Sequence, residues 1–464
     1  MVALPLLQAV HAQEAADDDA ALDRIPGESA ENPPRSDTSR NAASSGVYVE
    51  EAAQYLQNRS ALPVPLPGGI RPRWINRLFI DGHPHWQPVQ SVKVVVSGRV
   101  EYYRQDTADN VATGTHTLNY DLREAFLAWA PDAQRRWFID FGRINVRNGV
   151  AYAFNPTDFF RKQSVVDEVS QDPNALRNNR LGTVMVRVQH FMDRGTVAVL
   201  YAPKLDSELP IDGMTSAWDP QLRRTNAHHR SEFSAAYDFG HDIDPQVVVF
   251  HEGNAWSYGL NLTRGFGNQT TAYVEWSVGR RSDLIAEALQ YAVRTGTFAD
   301  ASSPIPNDGA KRPNNDLAAG LSYTTKANIN LIFEYDFHQA GFTRADWSHW
   351  FAAPGVSTAE PALRYGKLWY LRGYAAIQQE PLARDGLFVR VAKDDWPIPH
   401  MSISGLSIVE TARWSSLTQT DVSYRVSSRL QMEGIFQAAV GRAQSSFGSV
   451  PVGRNYILDF QLYL

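Results

Sequence analysis

Alternation is the feature that most constrains this chain. From about Trp74 onward, apolar and polar residues exchange places at every second position, over runs of ~9–12 residues, the reach of a strand tilted across a bilayer. In 91–104, Val92, Val94, Val96, Val100 and Tyr102 oppose Lys93, Ser97, Arg99 and Glu101. In 117–128, Leu118, Tyr120, Leu122, Phe126 and Ala128 are expected on one face, with Thr117, Asn119, Asp121 and Arg123 on the other. The same scheme recurs in 180–191, 255–264, 271–278, 329–338 and 418–426, and the chain ends on Tyr456, Leu458, Phe460, Leu462 and Leu464. Period two with one apolar face describes half-buried strands.

A soluble sandwich and a membrane barrel both satisfy that pattern. Two observations favour the barrel. The runs exceed the roughly 5–6 residues usual for soluble strands. The connections also alternate between tight, as at 265–268 and 326–328, and long and polar, as at 281–315 and 339–361. Barrels in the outer membrane of bacteria combine short turns at one end with long loops at the other. No apolar run reaches the ~18–20 residues of a membrane helix, and the mean hydropathy of −0.35 fits strands in which every second residue is polar. The expected fold is all-β, a single transmembrane antiparallel barrel of about 16–18 strands over 71–464 with long external loops. Trp74, Tyr102, Trp137, Trp256, Trp276 and Trp369 are expected as interfacial aromatics.

Ahead of the barrel, 1–12 has the short apolar run and small-residue exit of a signal peptide, with cleavage after Ala12. Residues 13–70 read as a disordered acidic and Pro-rich leader containing two possible helical turns at 49–56. The chain has no cysteine, which rules out disulfides and thiolate chemistry. A net charge of −6 argues against a nucleic-acid partner. His83, His85, His228 and His229 lack the spacing of a metal motif, and no phosphate loop or nucleophile elbow occurs, so no catalytic, cofactor or metal residue is assigned.

In a channel the functional residues face the lumen or sit on loops folded into it. The alternation places Lys93, Arg99, Glu101, Arg123, Arg187, Glu275, Glu334, Asp336 and Asp459 on polar faces as pore-lining candidates. The best constriction candidate is 155–169, where an Asn-Pro turn and a Thr157 cap precede a possible helix. Asn155, Asp158, Arg161, Lys162, Asp167 and Glu168 would meet the permeant there. Residues 281–294 also have helical spacing, with Leu284, Ala288 and Tyr291 on one face, and suit a lid.

The stretch 122–160 resembles Gram-negative outer-membrane barrels of the alginate-export type and porin-like relatives. The resemblance rests on Glu124-Ala125-Phe126, then Gly142-Arg143, then the turn Asn155 to Asp158. The last ten residues resemble the final strand recognised by the outer-membrane assembly machinery, although they end on Leu464 where that strand usually has an aromatic. The resemblance implies an outer-membrane channel, surrounded by lipid, that passes a hydrophilic solute or a polysaccharide through a polar lumen without chemistry. The alternatives are a plugged structural or assembly barrel for a surface polymer, and an outer-membrane hydrolase.

Overall fold

The computed structural model describes residues 46–464 except 68–71, 108–109, 167–168, 212–218, 241–242 and 358–359, and gives the backbone alone at 107 and 110–116. The expected cleavage site and the leader up to residue 45 lie outside the described residues.

The alternating runs form one antiparallel sheet of nineteen strands, and it closes on itself. Its first member, Val47–Asn58, pairs with Pro72–Gly82 on one side and with the last strand, Val452–Tyr463, on the other. Pro72–Gly82 and His85–Val89 lie end to end against the single strand Val92–Thr107, so the barrel wall counts eighteen strands. Closure is what lipid demands, because an open edge leaves N–H and C=O groups without partners in hydrocarbon.

The first strand corrects the sequence reading. The helical turns expected over 49–56 are wall strand, and the barrel begins at Val47 instead of residue 71. Glu50, Glu51, Ala52 and Ala53 favour a helix locally. Pairing on both edges, from Tyr48↔Tyr463 to Tyr55↔Tyr456 and from Val47↔Gly82 to Tyr55↔Trp74, overrides that preference. The Pro-rich run that follows is also built in, with Val64 buried in the core of a helical cap.

A second correction lies in the strand Asn110–Trp129. Its register against Val92–Thr107 slips by one residue: Ser97 faces Glu124, while Gly98 faces Leu122. Arg123 is the extra residue of a β-bulge, which reverses the parity of everything after it. Leu118 and Leu122 point outward and are exposed, whereas Ala128 is buried and Phe126 packs against a cluster inside the barrel. The bulge lets two consecutive charged residues, Arg123 and Glu124, both act inside.

The outer face is apolar. Trp74, Tyr102, Trp137 and Trp256 are 43–54% exposed on it, beside Leu78, Ile80, Leu260, Phe333 and Leu458. Trp369 is not among them: it lies on a cap helix and its indole donates to the Pro65 carbonyl. At one end of the barrel the connections are turns, such as those between Met192 and Gly195 or Phe266 and Thr270. At the other end, 145–182, 203–229, 282–311 and 339–384 are long. Helices Leu284–Arg294, Arg344–Ala352 and Pro361–Ile377 arise there and share a buried core of Leu284, Leu289, Phe342, Trp347, Trp350 and Leu368. Asp283 caps the first of these helices by accepting from the Ala286 amide, and the expected face Leu284, Ala288, Tyr291 is buried. The cap belongs to the long-loop end of the barrel.

Candidate functional site

At Ile144 the strand Trp137–Ile144 ends and the chain turns into the barrel. It rejoins the wall at Thr183, the first residue of Thr183–Met192. Between them, 145–182 crosses the lumen and meets the wall nearly all round.

The crossing starts at two acids, Glu124 accepting from the Asn145 amide and Glu232 from the Asn148 side chain. Two further wall carboxylates then take hold of the backbone. Glu275 accepts from the amides of Val150, Ala151 and Thr157 at 2.6–2.9 Å and from the Thr157 hydroxyl. Glu334 accepts from the amides of Tyr152, Ala153 and Phe154 at 2.7–3.0 Å and from the Tyr273 hydroxyl. Such charge-assisted bonds are strong and satisfy amides that have no strand partner here. Gly149 carries a φ of +95°, and a Cβ there would fall 2.6 Å from both Asn155 Oδ1 and Glu275 Oε2, so only glycine lets the chain pass this close.

Beyond the Asn155-Pro156 turn the contacts become apolar. Phe159 stacks on Phe250 at 4.6 Å and Phe160 meets the same ring edge-on at 5.7 Å. Ile144, Val146, Met185, Ala198, Leu200 and Val248 complete this cluster. The helix expected over 159–169 does not form among the described residues of that stretch; 159–166 makes successive turns. Its side chains are claimed from different directions, which no single helical face can serve. Phe159 and Phe160 go to one wall, while Val169 packs on Ala52, Ile435 and Ile457.

The return leg binds polar groups. Gln419 accepts from the Gln171 amide, and Gln437 donates to the Val169 carbonyl. Asp172 caps the short helix Pro173–Asn178 and pairs with Arg390 at 3.0 Å. Asn179 Oδ1 accepts from Arg99 and Arg123, which both donate to Asp81.

Most of the sequence candidates meet in this arrangement. Arg99, Arg123, Glu275 and Glu334 touch the crossing segment directly. Arg187 pairs with Asp140 at 2.8 Å and Arg77 approaches Glu101 at 3.8 Å, both along the inner wall. Asp336 is buried inside the wall, and Asp459 accepts from Gln461. Lys93 is apart, at the short-turn end, lining a hollow with Gln90, Arg135, Phe138 and Phe191. Asn155 and Asp158 offer their carbonyls to Arg161, and Asp158 pairs with Arg180 at 2.5 Å. Asp167 and Glu168 lie outside the described residues. Sequence reasoning missed Asp81, Glu232, Phe250 and Gln437, and set Gln419 on a polar face without giving it a role. Parity alone marks each of them as inward-facing, but nothing local says that a loop will come to meet them.

The segment is also fastened to the cap above it. The Gln163 amide donates to the Ile377 carbonyl at 2.7 Å, Arg161 Nε to the Gln379 carbonyl at 3.1 Å, and Gln163 Nε2 to the Tyr291 hydroxyl at 3.2 Å. Glu380 takes Arg281 at 2.7 Å and Lys162 at 3.5 Å. Burial opposes its charge, yet Arg281, Lys162 and His338 hold this carboxyl well below the usual range. Nearby, Glu208 joins 203–229 to the cap through Arg294 and also takes His228 of its own connection. Burial again works against its charge, and these two partners hold its carboxyl down to about 2.

A closed strand wall with an apolar exterior, a charged interior and a folded segment across the bore defines a membrane-spanning β-barrel. Among solved structures it is similar to Pseudomonas aeruginosa OccK5 (OpdH), at 8% identity over 90% of this chain and 98% of that one, with a TM-score of 0.47. It is also similar to P. aeruginosa OccK11 (OpdR), at 9% identity over 90% and 96%, TM-score 0.48, and to Acinetobacter baumannii OccAB4, at 8% identity over 91% and 98%, TM-score 0.47. Likenesses of that strength assign neither a family nor a permeant. No protein-family model and no curated protein matches the sequence.

Proposed function

We propose that the protein is a bacterial outer-membrane channel that passes a hydrophilic solute or a secreted polymer through its polar lumen, with 145–182 as the element that admits or refuses passage. The observation that carries this reading is the way the segment is held: side-chain contacts and hydrogen bonds to the wall, with no strand pairing across the bore among the described residues. Such contacts release without opening the barrel. Lys93, Arg99, Glu101, Arg123, Arg187, Glu275, Glu334, Asp336 and Asp459 are the proposed lining, and Asn155, Asp158, Arg161, Lys162, Asp167 and Glu168 the proposed constriction, with charge and radius there setting selectivity. The reading assigns no reaction. A plugged structural barrel is the second reading, favoured by contacts that run round most of the circumference.

Conductance in a planar bilayer, with the reversal potential under a salt gradient, separates the two. Steady current from the natural protein means an open path. Silence that gives way to current in an E275A/E334A variant means a gated channel. Silence in both, from folded and heat-modifiable protein, sinks the channel reading and leaves the structural one.

A further inference from the structure

Inside the cap, Arg372 on helix Pro361–Ile377 is surrounded by aromatic rings. Its guanidinium carbon lies 5.1 Å from the ring centre of Trp347, 4.9 Å from that of Trp350 and 5.4 Å from that of Trp369. Its two terminal nitrogens donate to the Ser446 carbonyl at 3.1 and 3.2 Å and to the Ser449 hydroxyl at 2.7 Å. No carboxylate pairs with it among the described residues. Burial alone acts on the group and pushes it down to about 9.

Three N–H donors in this box are buried and have no acceptor among the described residues: Arg372 Nε, Trp347 Nε1 and Trp350 Nε1. Both indoles are fully buried, one turn apart on helix Arg344–Ala352, with ring centres 5.9 Å apart. The third ring shows the ordinary solution, since the Trp369 indole donates to the Pro65 carbonyl. Buried indole N–H groups normally find such a partner, and an uncompensated buried cation is costlier still. Among the described residues, the unsatisfied groups of the box are all donors and its formal charge is the positive one of Arg372. A water would accept from two of the donors but leave the charge unneutralised and bring two further hydrogens needing acceptors.

We propose that this box binds a small monovalent anion with the chemistry of a halide, chloride under ordinary salt conditions. The anion accepts from the two indoles and Arg372 Nε and neutralises the guanidinium. Complete burial of Trp347 and Trp350 fits a single-atom ion better than a carboxylate or phosphate. Its consequence is structural: it locks Arg344–Ala352 and Pro361–Ile377 to 441–451, the roof to which the lumen segment is tied.

The test uses the full-length protein in two measurements. The first is anomalous diffraction from crystals grown in sodium bromide, where a peak is expected between Trp347 Nε1, Trp350 Nε1 and Arg372. The second is the rate at which protease clips the cap in sodium chloride against sodium gluconate at equal ionic strength. When chloride is at ~10 times its dissociation constant, clipping should be about tenfold slower than in gluconate. That ratio should collapse in R372M and shrink in W350F. R372M should also clip no faster than the natural protein in gluconate, since it removes an unpaired buried cation. No bromide peak in the box, equal rates in the two salts, or a chloride effect that survives in R372M would each overturn the proposal.

Discussion

The two flanks of the lumen segment are gripped in opposite ways. Against strands Thr183–Met192, Gly195–Ala202 and Ile243–Glu252 it is held by side chains: Phe159 and Phe160 around Phe250, with Met185, Leu200 and Val248 behind them. Against Thr270–Arg281 and Ile329–His338 it is held by its backbone, through Glu275 and Glu334. Apolar packing is non-directional and responds to volume. A carboxylate accepting amide hydrogens is indifferent to the side chains of the segment but strict about where its backbone lies. One flank therefore specifies sequence and the other specifies path, so substitutions should separate them.

The largest effect is expected from breaking the backbone flank. E275A/E334A removes eight hydrogen bonds, each worth about 1.5–3 kcal/mol because the acceptor is charged. Amide exchange over 150–157 should accelerate at least ~100-fold, as expected once two such bonds are lost. Unchanged exchange would show that the carboxylates do not hold the segment. F250A attacks the other flank and should cost about 3–5 kcal/mol of local packing. Exchange should rise over 159–166 while 150–157 stays protected, and an equal rise in both would mean the flanks are not separate. G149A comes next, at about 1–3 kcal/mol from a left-handed backbone together with the Cβ clash. It should mimic a partial loss of Glu275 without touching Phe250, as seen by exchange at Val150 and Ala151. E380Q weakens the tie to the cap and should raise exchange at Gln163 by only a fewfold, leaving both flanks in place. The smallest effect is acid sensitivity outside the wall. The Glu208 carboxyl is held near 2 in the folded protein against roughly 4.3 when free, so its link to Arg294 and His228 is fully present above ~4.3 and is lost as pH falls through about 2. Proteolysis of 203–211 should rise at the bottom of that window in the natural protein and be insensitive to pH there in E208Q.

The legible parts are those whose physics is local. Period two marks wall strands wherever one face meets lipid, and Asp283 followed by Leu284, Ala288 and Tyr291 marks a cap helix by its own spacing. The illegible parts depend on partners far along the chain. Residues 49–56 look helical until Val452–Tyr463 lies beside them. A single-residue slip at Arg123 turns Phe126 and Ala128 inward and leaves no trace in composition. Residues 159–169 have helical spacing, yet their partners stand on opposite walls. Glu275 and Glu334 are readable as inward acids, but that each faces three amides of one segment is a property of the folded lumen. The Arg372 box is less legible still, since Ser446 comes from a different connection than Trp347, Trp350 and Arg372.

Ile144 pairs directly with Thr183, so the lumen segment leaves and re-enters the wall at one doorway. This has a consequence for the order of assembly. The segment is never threaded through a finished ring, because it hangs from a single hairpin whose two strands are close in the chain. The pairing that shuts the ring, Tyr48 with Tyr463, joins residues almost a whole chain apart, and contacts of that separation form late. A sheet still open between Tyr48 and Tyr463 can therefore carry its core already, and closure then wraps that core as a cast sets round a form.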